Sequence, residues 1–120
     1  IVGCGGALAL HRARGDAVRV VVAFDGALGL AAGQDPALRR AESQRGGALL
    51  GLDDFVFLDA PEGHAPTHEE LAAGAERLRA ELERFAPDVV YLPWDDDDHV
   101  DHRTLAAAGR LALWGFAGEV

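Results

Sequence analysis

Apolar and polar positions alternate along the chain in blocks that favour helices and strands by turns. The clearest helical block places apolar residues at steps of four, three, four and three, at Leu71, Ala75, Leu78, Leu82 and Phe85. Three shorter blocks are nearly continuous β-branched or aromatic runs, which is typical of strands covered on both faces. We therefore predict helices over about 5–14, 36–50, 68–86 and 101–114, and strands over 17–24, 55–58 and 89–92.

Local signals set the ends of several of these elements. Gly15 follows the first helix as its C-terminal stop. Asp35 can cap the second helix, with Pro36 at its first position, where no N–H is needed. Thr67 and Glu70 have the spacing of a capping box at the start of the third helix.

The predicted order α-β-α-β-α-β-α indicates parallel strands joined by right-handed crossovers, with helices on both faces of the sheet. The fold class is thus a Rossmann-like three-layer α/β/α architecture with a mainly parallel sheet. In such sheets, ligands bind beyond the carboxyl ends of the strands. The loops after Phe24, Leu58 and Leu92, and the turn into the first helix, are therefore where a site is expected.

Composition narrows the function classes. The 120 residues fit one domain, and the formal net charge of −9 disfavours nucleic acid, whose phosphates need clustered Lys and Arg. No apolar run reaches the roughly 18 residues of a membrane span. A single cysteine excludes an internal disulfide framework and suits a reducing, cytoplasmic location. The sequence does not begin with Met, so we expect that residues precede Ile1.

The strongest candidate chemistry lies after the third predicted strand, in an acidic run followed by His99, Asp101 and His102. Two imidazoles three residues apart, with a carboxylate between them, can share a metal or acid–base site. The positive end of the helix dipole disfavours a charged His102 and keeps a ring nitrogen available, whereas carboxylates around His99 favour its proton. The alternative is a solvated acidic loop in which Asp101 is an ordinary N-cap.

Three further segments admit more than one interpretation. The glycines around Cys4, followed by Asp25 at a strand end, allow a dinucleotide site, but Leu8 stands where the third glycine of that fingerprint belongs. Tight helix–strand packing explains the same glycines. Arg39 and Glu42 form either part of a ligand site or a solvated helix face, and Glu62 is either a ligand-facing carboxylate or a turn residue.

Six motifs follow one another along most of the chain: IVGCGG at 1–6, VRVVVAFDG at 18–26, RRAE at 39–42, PEG at 61–63, PDVVY at 87–91 and HVDH at 99–102. In this order they resemble the PIG-L / LmbE-like family of zinc-dependent N-acetylglucosamine deacetylases. The family pattern has Thr where this chain has Phe24, and Pro where it has Val100. An ordered series of this kind is far more specific than any one motif.

The resemblance implies a role for each matching residue. His102 would bind Zn²⁺ or another divalent metal, and His99 would stabilise the oxyanion or protonate the leaving amine, oriented by Asp101. Arg39, Glu42 and Glu62 would help form the substrate side. The reaction would be hydrolysis of an N-acetylated amino-sugar conjugate to acetate and a free amine, by water that the metal activates.

One departure concerns activity directly. The family's His-Pro-Asp-Asp-Glu segment, which supplies two further ligands and the general base, would end immediately before Ile1. We therefore expect residues 1–120 to be a single deacetylase domain truncated at both ends, lacking its first, central strand. Alone it should bind zinc weakly and be inactive. The alternatives are a non-catalytic carbohydrate-binding pseudoenzyme and, less favoured, a dinucleotide-binding oxidoreductase domain. A His-Pro-Asp-Asp-Glu segment upstream of Ile1 would support the enzyme, and its absence would support the pseudoenzyme.

Overall fold

A computed structural model describes residues 3–32, 34–35 and 37–120. The helices are α1 (Gly5–Arg14), α2 (Ala37–Ala48), α3 (His68–Phe85) and α4 (Val100–Ala112), and the strands are β1 (Arg19–Phe24) and β2 (Asp54–Ala60). The chain divides into two compact units, one through Glu62 and one from Gly63 onward. None of the helices in the described residues is long and apolar enough to cross a membrane.

The first unit is built around a parallel pair of strands. β1 and β2 are in register from Arg19 opposite Asp54 to Val22 opposite Phe57, and an irregularity then shifts Phe24 to pair with Ala60. The α/β class with a parallel sheet is therefore confirmed. The crossover between the strands contains α2, as parallel pairing requires.

Helix ends in this unit follow the predicted signals. Gly15 takes the left-handed conformation with φ of 90°, and its N–H donates to the Arg12 carbonyl. Asp35 Oδ1 accepts from the Ala37 amide at 2.9 Å, as an N-cap does. The predicted place of Pro36, and the start of the first motif at Ile1 and Val2, lie outside the described residues.

Two adjacent glycines near the end of α2 differ in their surroundings. A side chain at Gly47 would run into the Phe55 ring on β2, whereas Gly46 faces open space. We expect Gly47→Ala to lower the free energy of unfolding by about 1–3 kcal/mol through overpacking. Gly46→Ala should raise it by up to about 1 kcal/mol, because alanine is the better helix former. Urea denaturation of the two variants measures both; equal effects would show that α2 does not lie against Phe55.

In the second unit, α3 and α4 contact each other through small residues. Ala75 on α3 and Ala106, Ala108 and Ala112 on α4 are buried. α3 begins with both bonds of a capping box: the Glu70 amide donates to Thr67 Oγ1 at 3.2 Å, and the Thr67 amide donates to Glu70 Oε2 at 2.8 Å. The helix ends at Ala86, which takes a left-handed conformation before Pro87. The capping-box prediction is confirmed.

The capping box makes stability depend on pH. The Thr67 amide, followed by His64 at 3.2 Å, lowers the pKa of Glu70 below its ordinary value of 4.5. A folded-state pKa below the unfolded one stabilises the fold above pH 4.5, and this is lost as the pH falls through the lower, folded-state value. Thermal melts should therefore lose stability at acid pH more steeply in the wild type than in Glu70→Gln. Glu76→Gln, on the exposed face of α3, should match the wild type; a Glu70→Gln profile parallel to the wild type would contradict the prediction.

The prediction of a third strand over 89–92 is wrong. In the described residues, the segment 89–92 makes one isolated parallel bridge, Val89 to Glu119, together with a bond from the Val90 amide to the Glu119 carbonyl at 2.8 Å. A β-branched run becomes a strand only where a partner pairs along its length, and here pairing ends after one residue. Pro93, which has no N–H, follows.

Candidate functional site

The acidic loop and the first turn of α4 place the two histidines side by side. His99 is the N-cap of α4, and His102 is the third helical residue. Their ring centroids are 5.0 Å apart with a 36° tilt. Both side chains are more than half exposed, at 59 % and 54 %. The predicted position of His102 in the first helical turn is confirmed, and its ring is accessible to a ligand.

Asp97 joins the two histidines. Its Oδ1 accepts from the His99 amide at 2.8 Å, and its Oδ2 lies 3.0 Å from His102 Nδ1. Both contacts lower the pKa of Asp97, and the bond from the His99 amide has the larger effect. An ionised Asp97 fixes His102 with its proton on Nδ1, which leaves the Nε2 lone pair available to a metal. Metal-binding histidines commonly donate their other ring N–H to a carboxylate in this way.

Asp101 is buried, with 5 % of its surface exposed. Its Oδ1 accepts from the Gly63 amide at 2.8 Å, and its Oδ2 lies 3.5 Å from His99 Nδ1. The alternative in which Asp101 caps a solvated loop is therefore wrong, because His99 is the cap and Asp101 is the second helical residue. The His99 Nδ1 accepts from the Asp101 amide at 3.3 Å. A protonated His99 would instead direct that nitrogen's proton at the Asp101 carboxylate.

Two arginines of α4 bind the acidic run, one through a carboxylate and one through backbone carbonyls. Asp95 pairs with Arg110 at 2.5 Å. Arg103 donates to the carbonyls of Asp97 and Asp98, at 2.5 and 2.9 Å. These contacts hold the loop against α4, so Asp97 keeps a fixed position beside His102.

The metal-ligand set within the described residues is limited. Among residues 3–32, 34–35 and 37–120, no group of three or more His, Cys, Asp or Glu side chains is arranged to hold a metal. A catalytic zinc usually takes three protein ligands. His102, oriented by Asp97, has the chemistry for one of those positions.

The remaining predicted site residues lie in the first unit. Arg39 donates through Nε to the Gly26 carbonyl at 3.3 Å and through Nη1 to Glu42 at 2.8 Å, and Glu62 accepts from the Leu28 amide at 2.6 Å. A cavity of about 210 Å³ lies beside Arg39 and Glu42 at the carboxyl ends of β1 and β2. Direct contact of these residues with substrate stays a prediction.

Sequence reasoning missed Asp97 as the partner of His102. Four consecutive aspartates precede His99, and their spacing alone does not indicate which one faces the helix. Asp25, which the dinucleotide interpretation invoked, accepts from the Ala27 amide at 3.0 Å and so closes the turn after β1.

The α/β fold with its parallel pair of strands agrees with the family that the sequence comparison identifies. The chain belongs to the PIG-L family, since the family model described as GlcNAc-PI de-N-acetylase matches residues 1–113. No curated protein matches the chain significantly.

Two solved structures are similar to the chain. The conserved protein TT1542 from Thermus thermophilus has a TM-score of 0.79 and 30 % identity, over 94 % of this chain and 49 % of that one. The N,N′-diacetylchitobiose deacetylase from Pyrococcus horikoshii has a TM-score of 0.75 and 24 % identity, over 94 % of this chain and 43 % of that one. The chain thus spans half or less of the length of each.

Proposed function

We propose that this chain carries the two-histidine part of a metal-dependent N-deacetylase that acts on N-acetylglucosamine-type substrates. The observation that supports this most is the Asp97–His102 pair, which fixes the ring tautomer a metal ligand needs and lies beside a second histidine. Membership of the PIG-L family supports the same reaction class.

Each residue has a distinct part in the proposed hydrolysis. His102 would hold a divalent cation such as Zn²⁺ through Nε2, together with ligands from a His-Pro-Asp-Asp-Glu segment ahead of Ile1. Such a cation polarises the acetamide carbonyl and lowers the pKa of water. Asp97 keeps the His102 ring in its orientation.

His99 is the proposed acid. Its exposed ring, 5.0 Å from that of His102, would hydrogen-bond the developing oxyanion and transfer its proton to the leaving nitrogen. Water would add to the carbonyl carbon and give its proton to the general base of the His-Pro-Asp-Asp-Glu segment. The C–N bond would then break, with the His99 proton on the leaving nitrogen, to give acetate and a free amine. Asp101 would complement the positive charge of the ring while it carries that proton.

The proposal is tested by acetate release from N-acetylglucosamine and N,N′-diacetylchitobiose. The protein should carry His-Pro-Asp-Asp-Glu ahead of Ile1, and it should be assayed after chelation and again after Zn²⁺ is restored. We expect turnover that chelation removes and Zn²⁺ returns, and no turnover by residues 1–120 alone. Sugar binding without acetate release in the zinc-loaded protein would favour the carbohydrate-binding pseudoenzyme instead.

A further inference from the structure

The segment between β1 and α2 is held in shape by side chains from three places in the first unit. We call residues 25–30 the 25–30 loop; it contains a single 3₁₀ turn, Ala27–Gly29. Asp25 Oδ1 accepts from the Ala27 amide, and Glu62 Oε1 accepts from the Leu28 amide at 2.6 Å. Arg39, on α2, donates to the carbonyls of Gly26 and Gly29.

These charges match the polarity of the turn. The carboxylates of Asp25 and Glu62 accept hydrogen bonds from the amides at its start. The guanidinium of Arg39 donates to the carbonyl of its last residue, Gly29. A short turn leaves such amides and carbonyls without internal partners. Hydrogen bonds to charged groups are stronger than those between neutral groups. The carboxylates and the guanidinium therefore hold the loop backbone firmly at its two ends.

The glycines of the loop allow Arg39 to come this close. A Cβ at Gly26 would lie 3.2 Å from Arg39 Cγ, and one at Gly29 would run into its guanidinium. Gly26 also has φ of 68°, in the left-handed region. Glu42, at 2.8 Å from Arg39 Nη1, fixes the guanidinium from its other side. Arg39 is thus directed at the backbone of the loop.

The loop lies where a ligand is expected. It follows the carboxyl end of β1, and Asp25 and Gly26 line the 210 Å³ cavity together with Arg39 and Glu42. We propose that Arg39 and Glu62 are positioning residues, which hold the 25–30 loop in its substrate-binding shape and act through the loop. We call the hydrogen bonds from Arg39 and to Glu62 that hold the loop the clamp. The inference rests on the proposed function for the identity of the substrate, whereas the clamp is independent of that function.

Amide hydrogen exchange at Leu28, followed by NMR, tests the clamp without substrate. Glu62→Ala should speed exchange at Leu28 by about tenfold or more, because a bond to a charged acceptor is lost. Glu62→Gln should keep most of the protection, since its amide oxygen still accepts. Arg39→Ala should also speed exchange at Leu28. Arg39→Lys should keep only part of the wild-type protection, because an ammonium lacks the planar fork that reaches two carbonyls. Arg45→Ala and Glu76→Gln are the matched controls and should behave as wild type.

Kinetics on N,N′-diacetylchitobiose distinguish positioning from direct contact. Glu62→Ala and Arg39→Ala should raise KM by about tenfold and leave kcat within about twofold, with Glu62→Gln close to wild type. Unchanged exchange at Leu28 overturns the clamp, and a raised KM with unchanged exchange means direct contact with substrate. Faster exchange with unchanged KM shows that the loop does not serve the substrate. A zinc-loaded wild type without turnover refutes the proposed function and the substrate part of this inference, while exchange still decides the clamp.

Discussion

Replacing His102 with alanine should sharply lower both zinc affinity and acetate release in the protein that carries the upstream metal motif. Its Nδ1 lies 3.0 Å from Asp97 Oδ2, so that contact engages one ring nitrogen and leaves Nε2 available to a metal. Loss of a residue that merely orients a metal ligand costs about 10–100-fold in affinity or activity. Loss of the ligand itself should therefore lower zinc affinity and kcat/KM by more than about a hundredfold.

His68→Ala is the matched control for this experiment. His68 is the exposed first residue of α3 and has no place in the proposed mechanism. Zinc content by elemental analysis and acetate release should both remain at the wild-type level in that variant. If His102→Ala bound zinc with wild-type affinity, His102 would not be a ligand, even if activity fell.

Asp97→Asn separates the orientation of His102 from metal ligation. The amide oxygen of asparagine can still accept from His102 Nδ1, but without a negative charge, so the hydrogen bond should weaken. A smaller loss of zinc affinity than in His102→Ala follows, and its size measures what Asp97 contributes.

Local signals in the sequence were enough for the helices and for two strands. Thr67 and Glu70 specify the start of α3 by themselves, because both bonds of the capping box form within four residues. The strand prediction over 89–92 was wrong because a strand depends on its partner. Val89 pairs with Glu119, thirty residues away, and neither sequence segment indicates how far that pairing extends.

The placement of the two histidines at one helix start was predictable from the sequence, whereas the burial of Asp101 and the pairing of Asp97 with His102 were not. The spacing of His99 and His102 places both at one helix start whatever the rest of the fold does. Asp101 stands in a strongly polar run, which indicates exposure, yet it is buried because its partner is the amide of Gly63, 38 residues earlier. Burial of a carboxylate depends on such a distant partner, which no local pattern contains.

Removal of the Asp101 carboxylate should affect stability and activity in ways that two variants separate. Asp101→Ala removes the hydrogen bond that the Gly63 amide donates to a charged oxygen, and bonds of this class are worth about 1.5–3 kcal/mol. It also removes a negative charge from the first turn of α4, worth about 0.3–1 kcal/mol at a helix N-terminus. We expect the free energy of unfolding to fall by about 2–3 kcal/mol in urea denaturation, which is a large share of the stability of a small unit.

Asp101→Asn should keep the fold and lower the activity, because the two oxygens of Asp101 have different roles. The asparagine oxygen can accept from the Gly63 amide as Oδ1 does, so stability should stay within about 1 kcal/mol of wild type. Its NH₂ group then faces His99 Nδ1, at the place where the charged oxygen lies 3.5 Å away, and cannot complement a protonated ring. The value of kcat should fall about 10–100-fold with zinc content unchanged. Asp96→Asn, an exposed neighbour in the same loop, should change neither quantity. Wild-type kcat in Asp101→Asn would mean that Asp101 supports the fold alone and that His99 acts without its charge.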